Sequence, residues 1–380
     1  MEFCKFPSIE QFRHAIKTIQ RHYTFVGLSS NGKAIYDATK PLPTLKFSGT
    51  IKLHGTNAAI GYCDSLENVW CQTRSMVLTE NIRDQFGFYS WVQEKQKLLQ
   101  TLCKSVPHND DEKVYIFGEW CGGSVQKGVA LQKLPKMFVI FAIVVAKKLK
   151  GPILQTNNND DDNDDDNNYA EENDEIDATS EKRWFPAEDV QKIKSPQNQI
   201  YNIYDFETHM VEIDFNRPEI AQETLTTITK RVEKCCPVAL ALGSNGTGEG
   251  LVWTLYPGQN VKENLKNLRF KTKGDEHSVT KTKEIAAIDT EKQESIAKFV
   301  TFVVTENRLK QGIQQVFRNN EKPSLAKTSH FVRWIENDVL KEEKDTLADS
   351  GLEQKEAMKQ VSNEAKKWFT KYCKTSPGKQ

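Results

Sequence analysis

Lys52 lies in the stretch FSGTIKLHGTNAAI, residues 47–60, between two runs that read as strand. Behind it come His54, Gly55, Thr56 and Asn57, a short polar turn with a glycine in it. A lysine becomes a nucleophile when it is desolvated beside other cations, which lowers its pKa. Such an amine could attack an electrophilic phosphorus. The phosphate charge that develops then calls for further cations and a carboxylate for metal. A lone Lys-x-x-Gly is far more often a surface residue at a turn, so the rest of the chain has to supply those groups.

It offers candidates for each. VYIFGEWCGG, residues 114–123, puts Glu119 at a strand end before a glycine turn, where it could accept hydrogen bonds from ribose hydroxyls. FVIFAI, residues 138–143, offers Phe141 as a stacking face for a base. GEGLVW, residues 248–253, places Glu249 at the start of a strand, a position suited to a metal or its bound water. RFKTKG, residues 269–274, sets Lys271 and Lys273 two apart, so both side chains leave one face of a strand. Like charges repel, so two ammonium groups aimed together are explained better by phosphate than by stability.

These residues need a scaffold. Apolar spacing predicts a short helix over 8–20 followed by a loop, then strands over 45–53, 58–63 and 69–74. An amphipathic helix is expected over 80–105, and buried strands over 113–122 and 136–147, rich in Val, Ile and Phe. Strand-like runs return at 249–256 and 268–274. From about residue 284 the period becomes helical, through IAKFVTFVV, LKQGIQQVF, FVRWIENDVL and EAKKWFTKYC. The expectation is a mixed α+β domain over 1–280, broken by a disordered acidic insertion at about 156–180, and a helical C-terminal domain over 281–380.

Taken in order, KLHGTN, the arginine in QTRS, FGEWCG, FVIFAI, EGLVW and FKTKG resemble the ordered motifs of the covalent nucleotidyltransferases. Within that superfamily the chain most resembles the ATP-dependent RNA ligases of the phage double-strand-repair type, which include the kinetoplastid RNA-editing ligases. The resemblance covers roughly residues 45–275 apart from the acidic insert. It implies a nucleotidyltransferase fold of ATP-grasp-like antiparallel sheets. It also implies a three-step reaction using ATP and a divalent cation, Mg²⁺ or Mn²⁺. Lys52 would take AMP from ATP, the AMP would pass to an RNA 5′-phosphate, and a 3′-hydroxyl would then seal the strand. The implied substrate is RNA with 3′-hydroxyl and 5′-phosphate ends, nicked or duplex. By motif position Arg74 and Glu119 would contact the ribose side, Phe141 would stack on adenine, and Glu249 would serve the metal. Lys271 and Lys273 would hold phosphates, Asn57 would contribute to strand joining, and His54, Gly55 and Thr56 would support the turn.

Three features separate the chain from its superfamily relatives. Ile51 stands where these ligases often have Glu before the nucleophile, which leaves its main chain to contact the base. DNA ligases and mRNA-capping guanylyltransferases usually read Lys-x-Asp-Gly, and here His54 takes the Asp position. They also carry an Arg-x-Asp-Lys motif on a following β-barrel, whereas this chain runs into helices with no such tetrapeptide after Lys273. A non-catalytic RNA-binding relative would have no need of Lys52, Glu249 and the lysine pair together.

Composition sets the outer bounds. The 380 residues contain 52 basic and 52 acidic side chains. Residues 160–177, however, hold eight Asp and three Glu with no Lys or Arg. Setting those 11 aside leaves 41 acidic against 52 basic residues, a surplus that favours polyanionic partners. Eight cysteines are scattered with no C-x-x-C spacing, so reduced thiols in the cytosol or nucleus are expected. The N-terminus lacks a signal-peptide pattern and no apolar run reaches membrane-spanning length.

Overall fold

The computed structural model describes residues 1–82, 86–123, 125–148, 180–277, 296–317, 321–349 and 352–375. The acidic tract and the expected domain boundary near residue 280 lie outside these described residues. The strands in chain order are β1 (Glu10–Gln11), β2 (Phe25–Leu28), β3 (Ala34–Tyr36), β4 (Thr44–Lys52), β5 (Thr56–Tyr62), β6 (Trp70–Thr73) and β7 (Glu112–Cys121). They continue with β8 (Met137–Lys148), β9 (Ser180–Trp184), β10 (Ile200–Asn202), β11 (Thr208–Asp214), β12 (Gly250–Leu255) and β13 (Arg269–Lys273). The chain divides into two compact units that alternate along the sequence. The first is Met1–Glu10, Thr50–His209 and Cys236–Thr247; the second is Gln11–Gly49, Met210–Cys235 and Gly248–Gln380.

In the first unit the strand order is β10-β8-β7-β5-β6, with β9 also paired to β8. β10 runs parallel to β8, and the remaining pairs are antiparallel. β7 and β8 read as near-continuous apolar runs because both faces of the sheet are covered. On one face Phe88, Val92, Leu99 and Cys103 pack against Ile60, Ile116, Phe138 and Ile143. These four come from helices Phe88–Glu94 and Gln96–Lys104. The helix expected over 80–105 is thus two helices among the described residues, parted at Lys95.

The N-terminal segment covers the other face. Cys4 and Phe6 pack there with Ala59, Phe117, Ala142 and Val144. Gln72 Nε2 donates to Cys4 O at 2.6 Å, and Cys4 N donates back to Gln72 Oε1 at 3.0 Å. Burying a side chain such as Phe6 stabilises the fold by about 1.5–3 kcal/mol, so these first residues are part of the core.

In the second unit the strand order is β1-β13-β12-β4-β11. Phe12, Phe47 and Trp253 gather around Phe270, with ring centroids 4.9, 5.1 and 6.2 Å from it. A Cβ at Gly49 would lie 2.6 Å from the Trp253 ring, so only glycine admits that indole. Trp253 Nε1 donates to Thr272 Oγ1 at 3.0 Å, and Thr272 Oγ1 lies 2.7 Å from Thr229 Oγ1 of the helix Glu219–Lys234. The buried hydroxyls therefore satisfy the indole and fix that helix against β13.

Residues 25–36, expected as loop, form the antiparallel hairpin β2–β3. Asn31 and Gly32 at its tip are the hairpin signal, and Gly32 has φ 78°.

The helical region holds Ile296–Val303, Glu306–Val316, Thr328–Asp349 and Gln354–Thr375. Phe331, Ile335 and Val339 line one stripe of the third helix, and Val361, Ala365 and Phe369 one stripe of the fourth, in a shared core with Phe299 and Leu309. Arg308 is fully buried there, donating to Asp338 at 2.8 Å and Glu343 at 3.3 Å. Arg13, from the helix Phe12–Thr24, reaches the same Glu343 at 2.7 Å. Among the described residues, no helix is long and apolar enough to cross a membrane.

Candidate active site

Lys52 is the last residue of β4 and is half-buried. Alternation along the strand explains its neighbour: Ile51 points the other way and is 2% exposed, leaving only its main chain as a route to a ligand. The connection to β5 is Leu53-His54-Gly55, with His54 and Gly55 half-buried. Thr56, expected in the turn, already opens β5.

The connection is held from across the sheet. Gly55 N donates to Glu119 Oε1 at 2.9 Å, and Gln126 Nε2 donates to Gly55 O at 3.3 Å. A Cβ at Gly55 would sit 2.3 Å from Trp120 O and 2.7 Å from Cys121 Cβ. Glycine is required because two backbones approach more closely than any side chain permits.

β5 and β7 pair with Asn57 opposite Glu119. Directly opposite residues on antiparallel strands share a face, so these two candidates stand side by side. Glu119 lies inside β7, two residues before its end. On β8 the register shifts: Phe117 pairs with Ala142 and Gly118 with Ile140, leaving Phe141 as the extra residue of a bulge. Bulges re-aim side chains. Phe141 is half-buried and meets the Phe6 ring edge-on at 5.1 Å between centroids. Arg74 lies just past β6, exposed, with its guanidinium 3.5 Å from Ser8 Oγ. The first unit thus brings together Asn57, Glu119 and the Gly55 turn beside Lys52, with Arg74 at the strand margin. Cys121 is fully buried; burial and the Glu119 charge push its thiol well above the usual range, away from reactive thiolate.

The second unit brings together Glu249, Lys271 and Lys273. Gly250, with φ 153°, pairs with Lys273, and a Cβ there would fall 2.0 Å from Thr272 O. That close approach sets Glu249 against the end of β13. Glu249 is 3% exposed, and its carboxylate lies 3.1 Å from Lys273 Nζ. Lys271 and Lys273 do leave one face of β13, with Phe270 and Thr272 buried behind them. Their mutual repulsion is offset by carboxylates: Lys271 Nζ donates to Glu342 Oε1 at 3.0 Å. Burial works against the charge on Lys273, but Glu249 and Glu342 outweigh it and raise its pKa. Burial likewise opposes ionisation of Glu342, yet Lys271 and Lys273, with a hydrogen bond from Gln11, hold its carboxyl well below the usual range.

Glu342, Gln11 and Gln126 are not among the residues picked out from sequence. Glu342 belongs to the charged helix Thr328–Asp349, 71 positions from Lys271, and no local pattern marks it. No group of three or more His, Cys, Asp or Glu is poised to hold a metal among the described residues. A single buried carboxylate beside two lysines nevertheless fits a magnesium-type ion, which retains waters and takes its other oxygens from substrate phosphates.

The sequence model of the family described as RNA ligase matches residues 45–273, and the chain belongs to that family. The match runs from Leu45, the second residue of β4, to the last residue of β13. Among curated proteins, none matches this chain. Solved structures of Naegleria gruberi RNA ligase are similar. One form with ATP and Mn has 15% identity and a TM-score of 0.38, and the alignment covers 71% of this chain and 58% of that one. A form with AMP and Mn has 14% identity and a TM-score of 0.39, covering 72% and 56%. A form with pyrophosphate has 14% identity and a TM-score of 0.36. The chain therefore spans little more than half the length of these structures.

Proposed function

We propose that the chain is an ATP-dependent RNA ligase that joins 3′-hydroxyl to 5′-phosphate RNA ends through a lysyl-AMP intermediate. A nick in duplex RNA is the substrate best matched to the motif resemblance. The observation that carries the reading is the grouping beside Lys52: a Gly55 turn clamped by Glu119, with Asn57 in register opposite that acid.

Lys52 Nζ, having given up its ammonium proton to solvent, attacks the α-phosphorus of ATP as the neutral amine; the N–P bond forms as the bond to pyrophosphate breaks, and the second proton on the new phosphoramidate nitrogen passes to solvent. Glu119 orients the ribose and the Gly55 backbone together, Arg74 adds positive charge at the strand margin, and Phe141 gives the base an aromatic surface. Lys271 and Lys273 hold phosphate oxygens, which stabilises the charge that develops on transfer. Glu249 would hold Mg²⁺ or Mn²⁺, which when bound neutralises phosphate charge. AMP then passes to the RNA 5′-phosphate, and Asn57 assists as the 3′-hydroxyl displaces it. A-form duplexes are read through shape, phosphates and 2′-hydroxyls, so little sequence preference is expected.

The test is incubation with α-³²P-labelled ATP and Mg²⁺, then a denaturing gel, with Lys52→Ala alongside. The reading requires a labelled band in the wild type that the variant lacks. A band with GTP in place of ATP would mark a capping-type enzyme. Sealing of nicked DNA in preference to nicked RNA would mark a DNA ligase. No band with either nucleotide, in folded protein free of bound AMP, would reduce the chain to an RNA-binding relative.

A further inference from the structure

Glu342 has no part in the transfer chemistry, yet it sits on a lysine reserved there for phosphate. Its Oε1 accepts from Lys271 Nζ at 3.0 Å and its Oε2 from Gln11 Nε2 at 3.0 Å. The Lys271 and Glu342 side chains are only 14% and 15% exposed, so water does little to screen the pair.

The backbone that carries Glu342 is fixed. Arg13 donates to Glu342 O at 2.8 Å and to the adjacent Glu343 at 2.7 Å, and Arg308 donates to Glu343 at 3.3 Å. The arginines thus anchor the helix at Glu342 O and Glu343, not at the Glu342 carboxylate. A triphosphate or pyrophosphate arriving on Lys271 would meet this carboxylate at like-charge distance, and the two anions cannot share one ammonium without strong repulsion.

We propose that Glu342 is an intramolecular stand-in for phosphate: it holds Lys271 in the nucleotide-free protein and must swing away when a polyphosphate binds. The inference rests on the reading of Lys271 and Lys273 as phosphate-binding residues. It makes the helix Thr328–Asp349 a built-in competitor that sets the affinity for ATP and for pyrophosphate.

The experiment uses the full chain and Glu342→Gln, which keeps the shape and an oxygen acceptor but removes the charge. KM for ATP in lysyl-AMP formation is measured, and inorganic pyrophosphate binding is titrated by calorimetry. Both constants should fall by about tenfold, a typical coupling between mutually exclusive interactions, with kcat little changed. Constants that stay the same or rise would overturn the proposal, a rise making Glu342 a positioning residue for Lys271. Should the wild type form no lysyl-AMP at all, the ligase reading fails, and the pyrophosphate titration still decides the role of Glu342. Glu342→Asp, which withdraws the carboxylate by one methylene and keeps its charge, serves if the glutamine variant does not fold. A smaller fall in the pyrophosphate constant supports competition, and no fall refutes it.

Discussion

Gly55 and Glu119 are tied across β5 and β7: the glycine N–H donates to Glu119 Oε1 at 2.9 Å, while Glu119 stands in register with Asn57. The turn that follows Lys52 is therefore held by the same acid expected to orient the ribose. On the proposed reading, geometry at Lys52 and recognition of the nucleotide are coupled through one side chain.

Glu119→Ala removes the proposed ribose contact and leaves the Gly55 N–H without this acceptor. A hydrogen bond to a charged group is worth about 1.5–3 kcal/mol, which corresponds to a drop of roughly 10- to 100-fold in lysyl-AMP formation. Glu119→Gln keeps an oxygen for Gly55 and should lose less. Single-turnover incorporation of labelled AMP separates the two, and an undiminished rate in the alanine variant would take Glu119 out of the site.

Gly55→Ala tests the close approach of the backbones. The added carbon meets Trp120 O at 2.3 Å, and nothing flexible can yield there because the obstacle is main chain. The strands must part or the turn must shift, at a cost of about 1–3 kcal/mol. Denaturant unfolding should show that loss together with weaker adenylylation. Wild-type stability would mean that the turn relaxes without moving β7.

Phe141 packs against Phe6, and stacking on a base is the further role proposed for it. Stacking of a base on an aromatic ring contributes about 1–3 kcal/mol. Phe141→Leu retains most of the apolar volume while removing the flat ring. KM for ATP should therefore rise by about tenfold, the effect of roughly 1.4 kcal/mol, with little change in kcat or in the unfolding midpoint. A KM unchanged from wild type would leave Phe141 as a core residue at a bulge.

Much of this arrangement could be read from local pattern. β4, β5, β7, β8, β12 and β13 all fall on apolar runs, because strand alternation is a short-range property. The lysine pair on β13 was legible for the same reason. Its carboxylate partner was not: Glu342 comes from a helix far along the chain, and only tertiary packing places it at Lys271. The bulge at Phe141 was equally invisible, since it depends on how β8 registers with β7. The coverage of one sheet face by residues 1–9 rests on Gln72 and Cys4, which lie 68 positions apart. The hairpin at 25–36 carried an Asn-Gly signal, and its short, exposed strands gave too little periodicity beside it.

The charge on Glu342 should also show in stability against pH. Its carboxyl is depressed in the folded chain, so the stability it contributes is present above the ordinary unfolded value of about 4.3 and is lost as pH falls below that. Lys273 is raised, so its contribution is present below about 10.4 and is lost as pH climbs through its folded value. Between about pH 5 and 9 both groups keep their charges in either state. The stability gap between wild type and Glu342→Gln should then be flat across that window and shrink below about pH 4. The wild type should be the more stable in the flat region, because the variant leaves Lys271 largely buried without its carboxylate. Denaturant unfolding at several pH values provides the check. A gap as large at pH 3 as at pH 7 would mean that the variant loses packing rather than charge, and the electrostatic account of the Lys271–Glu342 pair would fall with it.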